Sequence, residues 1–115
     1  MKRSVVMMSL LLSAVAWAEN DTVRGWITGG SLAKVCNSPV QTDRDTCAFM
    51  AAALAEVIVS TGYGTYRACI PAEVEIRQFG LIVTKYLNDH PEEFQFAAGG
   101  IVAKALAQAF PCSEK

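Results

Sequence analysis

Four cysteines, Cys36, Cys47, Cys69 and Cys112, constrain this chain more than any other feature of its sequence. An even set in a small exported protein implies disulfides, here two, and a short chain stapled twice needs less apolar core to stay folded. Four cysteines allow three pairings, and spacing alone does not choose among them. A metal role fits poorly, because no CxxC pair occurs and His90 is the single histidine. A dithiol redox catalyst wants two close thiols, which the chain lacks. No cofactor and no metal is expected.

Export is read from the first 18 residues, MKRSVVMMSLLLSAVAWA. Lys2 and Arg3 form a positive start, Val5 to Val15 is apolar apart from Ser9 and Ser13, and Ala16-Trp17-Ala18 is a small-x-small cleavage signal. That order marks a secretory signal peptide, and the apolar run is too short for a membrane span of about 20 residues. Cleavage would take two positive charges and no acid, moving the formal charge from −1 to −3 and leaving residues 19–115 as one small, mildly acidic domain. Neither a membrane anchor nor a nucleic-acid partner is expected of it, since no basic excess is present to neutralise phosphates.

Helical periodicity dominates the C-terminal half. Residues 71–88 place Ile76, Phe79, Val83, Tyr86 and Leu87 on one stripe, with Pro71 suited to a first turn and Glu73 and Glu75 to the positive end of the helix dipole. After the short turn Asn88-Asp89-His90, Pro91-Glu92-Glu93 opens a second helix that carries Phe94, Ala97, Ala98, Ile101, Ala105 and Ala109 and stops at Pro111. Two helices joined so closely run antiparallel, so the start of the first lies beside the end of the second. Cys69 and Cys112 flank those two ends and should bond, which leaves Cys36 with Cys47.

Upstream, residues 31–35 form a short helix and 37–45 a polar loop. Residues 46–60 form an alanine-rich helix with Met50, Leu54, Val57 and Ile58 on its inner face, and Gly62-Tyr63-Gly64 breaks it. The predicted fold is therefore all-α, about four helices, stapled twice. Gly99-Gly100 inside the last helix costs about 2 kcal/mol against two alanines, and close approach of another backbone is the expected reason.

Chemistry-bearing motifs are missing. The sequence holds no GxSxG, P-loop or HExxH, and no enzyme is predicted. The pairs Glu73/Glu75 and Glu92/Glu93 resemble catalytic acids but fall in first helical turns, where dipole compensation explains them. What remains is a binding surface. Tyr63, Tyr66 and Arg67 share one glycine-flanked loop, and Tyr and Arg dominate interface hot spots. The hairpin tip supplies Asp89 and His90 as a second candidate. Asp43, Arg44 and Asp45 read as a solvated loop.

Residues 69–112 also carry a specific pattern: Cys69-Ile70-Pro71, Gln78, Lys85-Tyr86-Leu87, His90-Pro91-Glu92, Ala105-Leu106 and Ala109-Phe110-Pro111-Cys112. This ordered set resembles the Rap/Tai family of periplasmic immunity proteins, which are paired with amidase effectors of type VI secretion. Thr28-Gly29-Gly30-Ser31-Leu32 ahead of Cys36 is similar to that family's entry segment. The resemblance implies a helical, disulfide-bonded, often homodimeric protein that binds a peptidoglycan amidase and occludes its active site. It carries the cysteines, Pro71, Tyr86, Pro91 and Phe110 over as scaffold, and no partner contact. One stretch departs from the pattern: Cys47-Ala48-Phe49-Met50-Ala51-Ala52-Ala53 stands where the family has Cys, Gly-Tyr and a further Gly, and Glu56 alone matches its acidic position. A small periplasmic stress or chaperone-like protein, holding clients on an exposed apolar helix face, is the alternative.

Overall fold

A computed structural model describes residues 26–113; the leader assigned to residues 1–18 and the unassigned stretch 19–25 lie outside the described residues. Four α-helices follow in order: α1 Gly29–Cys36, α2 Gln41–Thr61, α3 Ile76–Asp89 and α4 Ala98–Ala109. A single 3-10 turn, Pro91–Glu93, separates α3 from α4. Among the described residues there is no strand, only two isolated antiparallel bridges, Thr28 with Ala97 and Tyr63 with Tyr66.

The all-α expectation holds, and both disulfides pair as the helix geometry requires: Cys36 with Cys47 and Cys69 with Cys112. The main chain reinforces the second bridge, since the Cys69 N–H donates to the Phe110 carbonyl at 2.9 Å. Phe79 of α3 meets Phe110 edge-on with ring centroids 6.4 Å apart, which fixes the antiparallel register of α3 against α4. Leu32, Ile58, Val83, Leu87, Val102 and Leu106 from all four helices fill the centre of the core.

The boundaries of the hairpin differ from the periodicity reading. Helix α3 starts at Ile76, not Pro71. Residues 70–74 instead make a turn, with the Val74 N–H on the Pro71 carbonyl, and bring Ile70 and Val74 against the core. Gln78 then caps the helix: its side-chain Oε1 accepts from the Glu75 N–H at 2.9 Å. Glu73 therefore stands outside the helix, and dipole compensation does not account for it.

Pro91 likewise opens one 3-10 turn and not α4. The continuation is broken by tertiary pairing: Gly30 N–H donates to the Phe94 carbonyl, Gly29 N–H to Phe96, and Ala98 N–H to Ile27, at 2.8–2.9 Å. Backbone groups committed to another segment cannot close helical i to i−4 bonds. The connection between the long helices is thus longer than a tight turn, and it docks α1.

Helix α2 also begins earlier than expected. Ser38 Oγ accepts from the Val40 N–H and donates to Asp43, while Arg44 donates to the Ser38 carbonyl and to Gln41. These bonds organise the first turn, so Asp43, Arg44 and Asp45 are helical and not a solvated loop. The buried residues of α2 are Cys47, Ala48, Ala51, Ala55 and Ile58. Met50 and Leu54 are only half-buried and Val57 is exposed, so the inner face is one of small residues.

That choice allows a close helix crossing. A Cβ on Gly80 of α3 would sit 3.0 Å from the Ala48 Cβ and 3.1 Å from its Cα. The near-backbone contact expected at Gly99-Gly100 occurs here instead. Gly99 makes room for a side chain, the Tyr63 hydroxyl, 2.7 Å from where its Cβ would lie, and nothing in the structure explains Gly100.

Two outcomes test this account. In the chain-entropy relation the Cys69–Cys112 bridge, spanning 43 residues, contributes about 4 kcal/mol and the Cys36–Cys47 bridge, spanning 11, about 3 kcal/mol. Paired Cys→Ala replacements should lower the urea midpoint in that order, unless loss of the buried Cys36–Cys47 sulfurs adds a cavity cost. Gly80→Val should cost a further 1–3 kcal/mol, roughly, by overpacking, in the same urea titration.

Candidate partner-binding surface

The loop between α2 and Cys69 is built as a clamped turn. Gly62, at φ 78°, ends α2 with its N–H on the Ile58 carbonyl at 3.0 Å. Tyr63 and Tyr66 then exchange both backbone bonds, N–H to carbonyl, at 2.9 and 3.1 Å. Gly64, at φ 60°, and Thr65 form the exposed two-residue tip, and the left-handed conformation at residue 64 is one that glycine adopts without steric cost.

Arg67 closes the clamp. Its Nη1 donates to the Gly64 carbonyl at 3.2 Å and the Tyr66 carbonyl at 2.9 Å, with the guanidinium lying across Gly62 where a Cβ would collide. The three loop residues expected to share a surface are therefore together but unequal. Tyr66 is half-buried against the core, Tyr63 is exposed with its hydroxyl seated over Gly99, and Arg67, also exposed, commits its Nη1 to holding the turn. The part of the loop open to a partner is the Gly64–Thr65 tip, the edge of Tyr63 and the outer side of Arg67.

No hydrogen bond or ion pair among the described residues joins this loop to Asp89 and His90. Those two stand at the end of α3. The His90 ring stacks on Tyr86, centroids 4.2 Å apart, and its Nδ1 donates to Glu92 at 2.9 Å. Lys85 donates to Asp89 at 2.8 Å. These contacts hold the Asp89 carboxyl below its ordinary pKa through Lys85 and the Glu92 carboxyl below its own through His90.

Beneath His90 lies a polar network that the sequence reading missed. Tyr86 Oη donates to both oxygens of Glu93, at 3.0 and 3.1 Å, and Lys104 Nζ donates to Glu93 at 3.1 Å. The Glu93 side chain is 12% exposed. It joins α3, the 3-10 turn and α4, so Glu93 is a tertiary tie and not a dipole partner. The Glu93 carboxylate pushes the Lys104 ammonium up to about 12, and burial pushes the Tyr86 phenol up. His90, Glu92 and Glu93 do bring one ring nitrogen and two carboxylates within 4.8 Å, a set that could ligate a metal. Lys104 already occupies the open side of Glu93, and His90 is committed to Glu92, which makes the set an internal hydrogen-bonded unit.

Two open grooves run along the α2–α3 face. One, about 670 Å³, lies between Arg44 and Phe49 of α2 and Arg77 and Leu81 of α3. The other, about 540 Å³, lies between Phe49, Glu56 and Val59 and the segment Ile70–Ile76. Phe49 and Ile76 line both. The sequence held a signal for this surface, since α2 carries more large apolar residues than one inner stripe needs.

A sequence model of the Rap1a immunity proteins matches residues 28–112. The chain belongs to the Rap1a immunity protein family. The match begins at Thr28, the N-cap of α1, and ends at Cys112, so the family unit coincides with the bridged helical body. Comparisons with curated proteins and with solved structures gave no match. As an immunity-family protein the chain works on a toxin partner.

The Glu93 network predicts an alkaline signature. The Lys104 and Tyr86 shifts are both upward, so their stabilisation is complete below pH 10 and lost as pH rises from there through about 12. Glu93→Gln should flatten that loss in urea midpoints measured from pH 7 to 12. At neutral pH it should cost about 2 kcal/mol, the range of hydrogen bonds to charged groups.

Proposed function

We propose that this Rap1a-family chain is a periplasmic immunity protein that binds a type VI secretion peptidoglycan amidase and blocks its cleft sterically, without catalysis. Family membership over residues 28–112 carries the reading. The rest is compatible chemistry. Two disulfides suit an oxidising compartment, and among the described residues no helix is long and apolar enough to cross a membrane. Residues 19–115 are taken as the mature domain, working as a homodimer.

The loop Tyr63–Arg67 is the surface proposed to enter the cleft. A narrow, pre-set turn binds with little ordering cost, and here Arg67 and Gly62 set it in advance. Tyr63 and Thr65 would touch the toxin, Arg67 and Tyr66 would hold the turn, and Asp89 and His90 would form a flanking contact.

The experiment is calorimetry and peptidoglycan-release assay with the amidase encoded beside this reading frame. Tight one-to-one binding with loss of amidase activity is expected. Tyr63→Ala should weaken it by about tenfold or more, the scale of a hot-spot contact, and Arg67→Ala should weaken it by loosening the pre-set turn. Unchanged affinity in both variants removes the loop from the interface, and no binding of any amidase removes the target assignment.

The exposed apolar residues Phe49, Val59 and Leu81 favour the chaperone-like alternative. A holdase would suppress aggregation of unrelated proteins on acidification; an immunity protein would pull down one enzyme and leave aggregation unchanged.

A further inference from the structure

Two neighbouring glycines, Gly99 and Gly100, occupy the first turn of α4, where helix propensity favours alanine. Their surroundings separate them. A Cβ at Gly100 would meet nothing within 4 Å, whereas one at Gly99 would lie 2.7 Å from the Tyr63 Oη and 3.4 Å from its Cζ. The bare helix surface at residue 99 is a seat for one side chain of the Tyr63–Arg67 loop.

What the seat controls follows from how the rest of Tyr63 is held. Its N–H and carbonyl both pair with Tyr66, at 3.1 and 2.9 Å, and Gly62 before it lies beneath the Arg67 guanidinium. With the backbone pinned, the ring moves only about its own two side-chain torsions, and the first of these is confined to staggered wells. Among the described residues the hydroxyl makes no hydrogen bond, so fit over Gly99, and not a polar tether, decides where the ring lies. Tyr63 is 37% exposed, and the part of the ring off the seat is the edge that faces outward. A methyl group at residue 99 would push the hydroxyl aside and turn that edge. The displaced atom is the end of a side chain, so the helix and the loop backbone need not yield.

We infer that Gly99 is a positioning residue for partner recognition: by lacking a side chain it fixes the direction in which α4 aims the Tyr63 ring. The inference rests on the proposed entry of the loop into the toxin's cleft, and it assigns to α4 the residue that orients the loop's aromatic contact.

The matched substitutions Gly99→Ala and Gly100→Ala test it on the oxidised, periplasmically produced chain, with circular dichroism to confirm folding. Nuclear Overhauser contacts between the Tyr63 ring and residue 99 report the seat, and calorimetry with the amidase encoded beside this reading frame reports recognition. Gly99→Ala should lose the wild-type ring contacts and weaken binding by about tenfold, the scale of a hot-spot contact, without lowering the urea midpoint. Gly100→Ala adds the same methyl in open space and should change neither ring contacts nor binding. Tyr63→Phe removes the atom that the new methyl strikes, so adding Gly99→Ala to it should leave binding at the Tyr63→Phe level, a coupling that a double-mutant cycle reads directly. Ring contacts that persist in Gly99→Ala overturn the inference whatever the amidase does. So does an equal loss of affinity from Gly99→Ala with and without Tyr63→Phe, or from Gly99→Ala and Gly100→Ala alike. A displaced ring at wild-type affinity takes Tyr63 out of the interface: the seat stands, and the loop reading falls together with the recognition role built on it.

Discussion

The short main-chain pairing between Ile27–Gly30 and Phe94–Ala98 organises the rest of the molecule. It ends the 3-10 turn after Glu93 and starts α4 at Ala98, which leaves the Glu93 carboxylate between Tyr86 and Lys104. It also seats α1, and α1 carries Cys36, whose bridge to Cys47 ties the start of α2 to the same body. Three backbone bonds between segments about 65 residues apart in sequence thus set where α1 and α4 begin relative to each other.

The architecture was legible in the sequence where the side-chain pattern was strong. The stripe Phe79, Val83, Tyr86, Leu87 became the buried face of α3, and the antiparallel argument placed Cys69 beside Cys112 although α3 starts later than Pro71. Helix boundaries were not legible, because each was decided by a partner distant in the chain or by a local side-chain bond. Phe94 and Phe96 gave their carbonyls to α1, Gln78 capped Glu75, and Ser38 with Arg44 extended α2 backwards. A reading of Pro91-Glu92-Glu93 as a helix start is locally sound and is overridden by tertiary pairing.

The candidate surface was half legible. Tyr63, Tyr66 and Arg67 do form one loop, but their separate jobs depend on Gly62 and Gly64 adopting positive φ and on where Arg67 sends its donors. Residue type alone made Arg67 an anchor; its hydrogen bonds make it a brace. In α2 the departure at Cys47–Ala53 did have a structural meaning. Alanines inside permit the close crossing at Gly80 and turn Phe49 and Val59 outward, so one substitution pattern sets both the internal spacing and the external surface.

The two bridges bear on when this chain can be a folded protein at all. Small domains hold a net stability of only about 5–15 kcal/mol, and the cross-links make up a large part of that range. Before its thiols oxidise, the polypeptide stands close to the unfolding threshold and is easily kept threadable for passage through a membrane channel. Exported as proposed, it would acquire its full rigidity only in the compartment where its toxin acts, and the producing cytoplasm would never hold a finished inhibitor.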